Sequence, residues 1–228
     1  MFSSGDLLAA WTTLQLCLAT SLLLLVIGLP LAWWLAFSQS RWTAFVEALV
    51  AMPLVLPPTV MGFYLLVALG PNGVIGGTLQ RWELPHLAFS FEGILIGSVL
   101  FSLPFAVQPL QDGFKAIGRA PFDVAASLGA SGSDRFFRVG IPLIRQNLFT
   151  AWVLSFAHTL GEFGVVLMIG GNLAGETQVL SIVIYDAVEA MDYDRAYRLS
   201  LTLLLLSFAL MFALAVWRRR KSATLLPC

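Results

Sequence analysis

Glu162 stands in the middle of the apolar run "AHTLGEFGVVLMIGGN", with His158 four residues before it. On a continuous helix, residues at i and i+4 share a face, so the spacing puts an acid and an imidazole on one face. Two chemistries fit. The pair is a proton relay or a substrate ligand, or Glu162 is a hydrogen-bonding post between helices. Intramembrane acids face the bundle interior or a cavity and have a partner. Proton-coupled carriers typically carry more than one such group, and this chain shows one, which favours the post. Gly161 and Gly164 flank the acid and allow another backbone to come close.

A second feature is "MPLVLPPTVMG", with Pro53, Pro57 and Pro58. Each proline lacks an N–H and frees a carbonyl one turn back. In lipid, freed groups must face protein or a wet cavity. The segment is therefore a packing kink or a broken segment lining a pathway. "SLPFAVQPL" (102–110) predicts a second kink, with Gln108 near the same level.

These residues need a membrane around them. Of 228 residues, 58% are hydrophobic and 11% charged, and the mean hydropathy is +0.85. A soluble domain carries roughly 25% charge, so the class is an all-α integral membrane protein. A spanning helix needs about 20 apolar residues. Five runs qualify, near 7–37, 44–69, 93–110, 148–170 and 199–217. The N-terminal run lacks a preceding Lys or Arg, so a retained helix is expected rather than a cleaved signal. Cys17 and Cys228 fall at different depths, so neither a disulfide nor a metal site is expected.

With the N-terminus outside and the C-terminus cytoplasmic, ten of the 13 basic residues lie inside, as the positive-inside rule requires. They are Arg41, Lys115, Arg119, Arg135, Arg138, Arg145, Arg218, Arg219, Arg220 and Lys221; Arg81, Arg195 and Arg198 stay outside. The outer segments are acidic, with Asp6, Glu83, Glu92, Glu176, Asp186, Glu189, Asp192 and Asp194. Such a mouth repels anions over a Debye length of about 8 Å, so an anionic substrate would have to be delivered.

The orientation makes "DVAASLGASGSDRFFRVGIPL" (123–143) cytoplasmic. Pro121 suits the first helical position, Asp123 the first turn, and Gly129 the left-handed residue that ends a short helix. Ser131 or Ser133 caps a second short helix containing Asp134 to Arg138, and Pro142 starts the next long one. On physics alone this is a docking element or an interfacial amphipathic connector. The chain has no P-loop, since Lys115 follows Phe114 and Lys221 follows Arg220. No zinc-protease or nucleophile-elbow motif occurs either. Catalysis and bound cofactors are not expected, and nothing points to nucleic acid. Five spans do not divide into two inverted halves, so symmetry around a pathway would come from a second copy of the chain.

The 123–143 stretch resembles the cytoplasmic signature loop of ABC importer permeases, Glu-Ala-Ala-x3-Gly-x9-Ile-x-Leu-Pro. Here the frame is Asp123-Val124-Ala125, Gly129 and Val139-x-Ile141-Pro142. Asp replaces Glu, Val replaces Ala, and the aliphatic pair is Val/Ile. "PLVLPPTVMGFYLL", "LGEFGVV" and "GNLAGETQVLSIVIY" are similar to segments of the oxyanion permeases in that family. "GEFG" is shared across molybdate, sulfate and tungstate members, whereas Gly171, Asn172, Gly175, Glu176 and Thr177 lean toward the molybdate branch.

The resemblance implies the type I importer fold over one domain, 1–228, with a cytoplasmic coupling loop at 111–147, in a bacterial inner membrane. It implies a separate cytoplasmic ATPase, a periplasmic or lipid-anchored binding protein, and a homodimer with the pathway at its axis. Asp123, Val124, Ala125, Ala126, Gly129, Ala130 and Pro142 would couple to the ATPase. Pro57, Pro58, Thr59, Gly161, Glu162, Phe163 and Gly164 would lie near the pathway. The alternatives are a sulfate or tungstate importer subunit and, in a different class, a stand-alone anion carrier or channel.

Overall fold

The structure, a computed structural model, describes residues 3–222. Cys228 and the side chains of Arg220 and Lys221 lie outside the described residues. Helix α1 (Ser4–Phe37) starts at a capping box in which the Ser3 and Asp6 side chains each accept the other's backbone N–H. It packs chiefly on α5 (Phe91–Ile117) and α9 (Arg145–Leu160).

The second predicted span is two helices. α2 (Trp42–Ala51) runs into a 3₁₀ turn, Met52–Leu54, and α3 (Pro58–Leu69) restarts after it. The break falls at the prolines: Pro53 sits in the 3₁₀ turn, Pro57 precedes α3 and Pro58 opens it. Pro57 O accepts from the Val60 and Met61 amides, so the new helix end is satisfied from within. Of the two readings of this segment, the break is what forms. α4 (Val74–Arg81) follows after a short turn.

The kink expected at 102–110 does not interrupt α5, which runs through Pro104 and Pro109. Asn147 Nδ2 donates to Pro109 O at 2.9 Å and ties α5 to α9 there. α5 also extends to Ile117, past the expected inner boundary, before Gly118 breaks it.

The 118–144 segment holds α6 (Ala120–Ser127), α7 (Gly132–Asp134), a π-helical stretch (Arg135–Gly140) and α8 (Ile141–Leu143). Pro142 was expected to start the long helix, but that helix begins at Arg145. A proline cannot donate to the carbonyl four residues back, and the ladder widens to π-helical pairing just before it.

The fourth span is likewise not continuous. α9 ends at Leu160, α10 (Gly164–Gly170) resumes after 161–163, and the two are bent by 62°. α11 (Leu180–Glu189) lies beyond, and α12 (Tyr193–Ser222) closes the chain. α12 begins earlier than expected because Asp192 Oδ1 caps it, accepting from the Arg195 amide at 3.1 Å. Among the described residues, four helical stretches are long and apolar enough to cross a membrane, and the bent α9–α10 pair makes a fifth.

Two large apolar clusters fill most of the bundle, and a small third one, Ala9, Val183 and Leu199, joins α1, α11 and α12. Of the large ones, the outer includes Leu16, Leu69, Ile94, Val165 and Ile169, and the inner Ala32, Val107, Leu110, Phe114 and Ile144. In lipid, such contacts hold helices by close packing rather than by expelling water. Gly97 fits that role, since a Cβ there would lie 2.6 Å from Ile169 Cδ1.

Candidate functional site

The two helix breaks face each other. Pro58, Thr59, Phe101, Ala157, His158 and 161–164 line one cleft of about 530 Å³. Of the seven residues expected near a pathway, Pro58, Thr59, Gly161, Glu162, Phe163 and Gly164 share this cleft. Pro57 adjoins it as the residue before α3. The approach of the broken ends is close at Gly164, where a Cβ would lie 2.8 Å from Pro58 Cβ. Gly161 is different: a Cβ there would meet only its own His158 carbonyl, at 3.9 Å.

Glu162 and His158 do not share the expected helix face, because the helix ends between the two residues. His158 Nδ1 lies 2.9 Å from Ser102 Oγ, and its ring stacks on Phe105 at 4.0 Å. Ser102 Oγ is also 3.1 Å from Thr159 Oγ1. Glu162 turns inward, 4% exposed, and neither carboxyl oxygen has a hydrogen-bond partner among the described residues. The interhelical post expected there is thus not made by its side chain. Its backbone makes one instead, as Ser181 Oγ donates to Glu162 O at 2.6 Å. Ser98 Oγ and Thr20 Oγ1, also buried, are likewise unpartnered.

On the cytoplasmic side, α6 ends in a Schellman motif. The Ala130 amide donates to Ala125 O and the Gly129 amide to Ala126 O, both at 3.0 Å. Gly129 takes φ +86°, the left-handed conformation that favours glycine. Asp123, Val124, Ala126 and Gly129 are exposed, Ala125 and Ala130 half-buried, and Leu128 is 83% exposed. Pro142 is exposed as well, one loop segment away. Ser131, not Ser133, caps the next turn, accepting from the Asp134 amide at 3.2 Å. The Ser131 hydroxyl, donating to Asp134 at 2.6 Å, and the Arg138 guanidinium at 3.2 Å hold that carboxyl below its ordinary range.

Residues 28–222 match the family described as the binding-protein-dependent transport system inner membrane component. The chain belongs to this family of inner-membrane permeases. It is 52% identical to the molybdenum transport system permease protein ModB of Azotobacter vinelandii, over 96% of this chain and 97% of that one. It is 30% identical to a probable sulfate transport system permease protein of Prototheca wickerhamii, over 88% and 78%. The fold matches a bacterial alginate ABC transporter with a TM-score of 0.78 at 19% identity, covering 96% of this chain and 80% of that one. The permease is thus the all-helical membrane subunit of an ABC importer, with a type I importer fold.

Several features of the permease were not anticipated from sequence. Asp6, read as part of the acidic mouth, is 4% exposed and accepts from Arg195 Nη2 at 2.6 Å and Nε at 3.0 Å. It ties α1 to α12. Asp186 is engaged too, by Asn172 Nδ2 at 3.0 Å and Gln178 Nε2 at 3.3 Å. The remaining outer acids stay exposed, and Glu92 and Glu176 line an outer cleft of about 740 Å³ with Thr12 and Gln15. Glu47 on α2 accepts from Gln111 and, at 3.2 Å, from Lys115, joining the broken segment to α5. Asp6 and Arg195 are 189 residues apart, and no local spacing signals such a pair.

Proposed function

We propose that this chain is the homodimeric membrane subunit of a bacterial molybdate importer driven by a separate ATPase. The 52% identity to a molybdenum transport permease, along nearly the full length of both chains, carries this reading. A binding protein captures the tetrahedral dianion outside and delivers it to the outer face, which is consistent with exposed carboxylates that would repel free anions. The surface of α6 and its C-terminal turn, with Asp123, Val124 and Ala126 exposed, Ala125 and Ala130 half-buried and Gly129 at the turn, docks into the ATPase together with Pro142. ATP binding moves the 111–147 coupling loop, and the spans alternate between outward- and inward-open states. Both events bias one bistable element, which coupling between distant sites requires.

The pathway runs at the dimer axis, past Pro57, Pro58, Thr59, Gly161, Phe163 and Gly164. Helix breaks suit that place, since irregular backbone at membrane depth is tolerated where it lines a cavity or is buried in protein. An ionised Glu162 does not contact the dianion, because like charges about 4 Å apart in a poorly screened site repel by several kcal/mol.

Complementation tests the reading. A strain lacking its molybdate permease, given this chain with its ATPase and binding protein, regains uptake of labelled molybdate. Restored sulfate uptake with no gain in molybdate would instead favour the sulfate branch, to which the chain is also similar.

A further inference from the structure

We infer that Trp33 is the positioning residue through which displacement of the cytoplasmic loop reaches the membrane helices. The inference rests on the reading of that loop as the ATPase-docking element.

The loop's covalent joins are poor levers. It leaves α5 at Gly118, whose φ of +71° and ψ of −171° break the helix direction. It rejoins α9 through π-helical pairing and a non-helical Ile144, at φ −93° and ψ 14°. Single backbone bonds still bridge them, Gly118 N to Phe114 O and Ile144 N to Gly140 O, but the dihedrals leave the helical region at each, so a load on α6 would bend these joins before it moved the helices beyond them.

The side chains supply a stiffer route. Phe122 of α6 and Phe136 of the π-helical stretch both pack edge-on against the Trp33 ring of α1, with centroids at 4.7 and 5.5 Å. Phe37 and Phe114 close the same ring from α1 and α5, at 4.8 and 5.1 Å. Phe122 also meets Phe37 at 5.4 Å and Phe136 meets Phe114 at 6.4 Å, but among the described residues Trp33 is the one ring that touches both loop rings, and at shorter range. Gly140 lets the π-helical backbone press in, since a Cβ there would lie 3.2 Å from Trp33. Arg119 adds a polar tie by donating to Phe37 O at 2.5 Å. Phe137, the next residue, is 63% exposed and touches Phe136 alone among the described ring pairs. Close-packed interiors transmit displacement because they deform little, so moving α6 moves Phe122, Trp33 and α1 as one body.

The test uses the complete complex in proteoliposomes: permease, ATPase and molybdate-loaded binding protein. Retention of the ATPase, ATP hydrolysis, and molybdate imported per ATP are measured for wild type, Trp33→Ala and Trp33→Phe. Trp33→Ala should assemble and hydrolyse ATP, yet import per ATP should fall about tenfold, within the usual range of coupling between sites. Trp33→Phe should recover most of it. Hydrolysis and import falling in proportion, or import per ATP unchanged, would show that Trp33 only packs, and would overturn the inference. If Trp33→Ala fails to assemble, Trp33→Phe and Phe122→Leu are read in the same assay, and normal import per ATP in both overturns it. Loss of the ATPase from the wild-type permease as well would sink the docking reading itself.

Discussion

Glu162 and its flanking glycines show how far residue types predict their surroundings. The sequence marks Glu162 as an acid inside a membrane span and favours a post to another helix, with His158 on the same face. The helix ends at Leu160, so that geometry never arises. The carboxyl is left buried with no well-formed hydrogen bond, Ser98 being the hydroxyl that acts on it. An ionised carboxylate so placed costs several kcal/mol, whereas the isosteric amide keeps the shape without a charge. Glu162→Gln should therefore retain molybdate uptake within about a factor of three, a change under 1 kcal/mol. Total loss would assign the charge a role in transport.

The two glycines should now part company. Gly164→Val drives a side chain into Pro58. Overpacking of this kind costs about 1–3 kcal/mol, and uptake should fall about tenfold or more. Gly161→Ala has room and an ordinary backbone, so uptake in the same strain should stay near wild type. A reversed ranking would mean that the helix ends do not meet as described.

At the scale of elements, helices were legible and their breaks only partly so. Pro53, Pro57 and Pro58 signalled the interruption of the second span because proline removes a donor wherever it stands. Pro104 and Pro109 carry the same signal, yet α5 is unbroken. Neighbouring helices decide that outcome, and a single segment does not contain them. The break at 161–163 has no proline at all; there the chain turns where Gly164 meets Pro58. Gly129 was the clearest local signal, because a positive φ is dictated by the turn itself. Phe136 and Phe137 are adjacent and identical in type, and only tertiary packing separates the anchored ring from the exposed one.

Gly129→Ala should cost about 1–2 kcal/mol from the left-handed backbone alone. Gly129→Asp adds a charge on the exposed surface. That variant should insert in the membrane normally while its ATPase no longer co-purifies. Full co-purification with normal uptake would contradict the docking role of α6. On the outer side, Arg195→Met should lower the thermal unfolding temperature more than Asp6→Asn. It leaves a carboxylate that is 4% exposed with only the Ser3 amide as donor, whereas Asp6→Asn leaves an arginine side chain 36% exposed. Stranding a buried charge is the costlier change. Equal losses in detergent melts would mean the pair is solvated.

For the whole molecule, charge placement carries the orientation read from the sequence, and the proposed function makes the chain depend on a separate ATPase. The acidic mouth was overstated, since Asp6 and Asp186 are engaged within the chain. Enough exposed carboxylate remains to disfavour capture of a free dianion. The account therefore requires that substrate arrive on a protein and that its arrival be sensed across the membrane by the ATPase. The most direct test is ATP hydrolysis by the reconstituted permease–ATPase complex, with its binding protein empty or loaded with molybdate, tungstate or sulfate. The account predicts that molybdate-loaded protein stimulates hydrolysis well above both the empty and the sulfate-loaded forms. Equal hydrolysis in all arms, or transport of free molybdate without ATPase or binding protein, would contradict it.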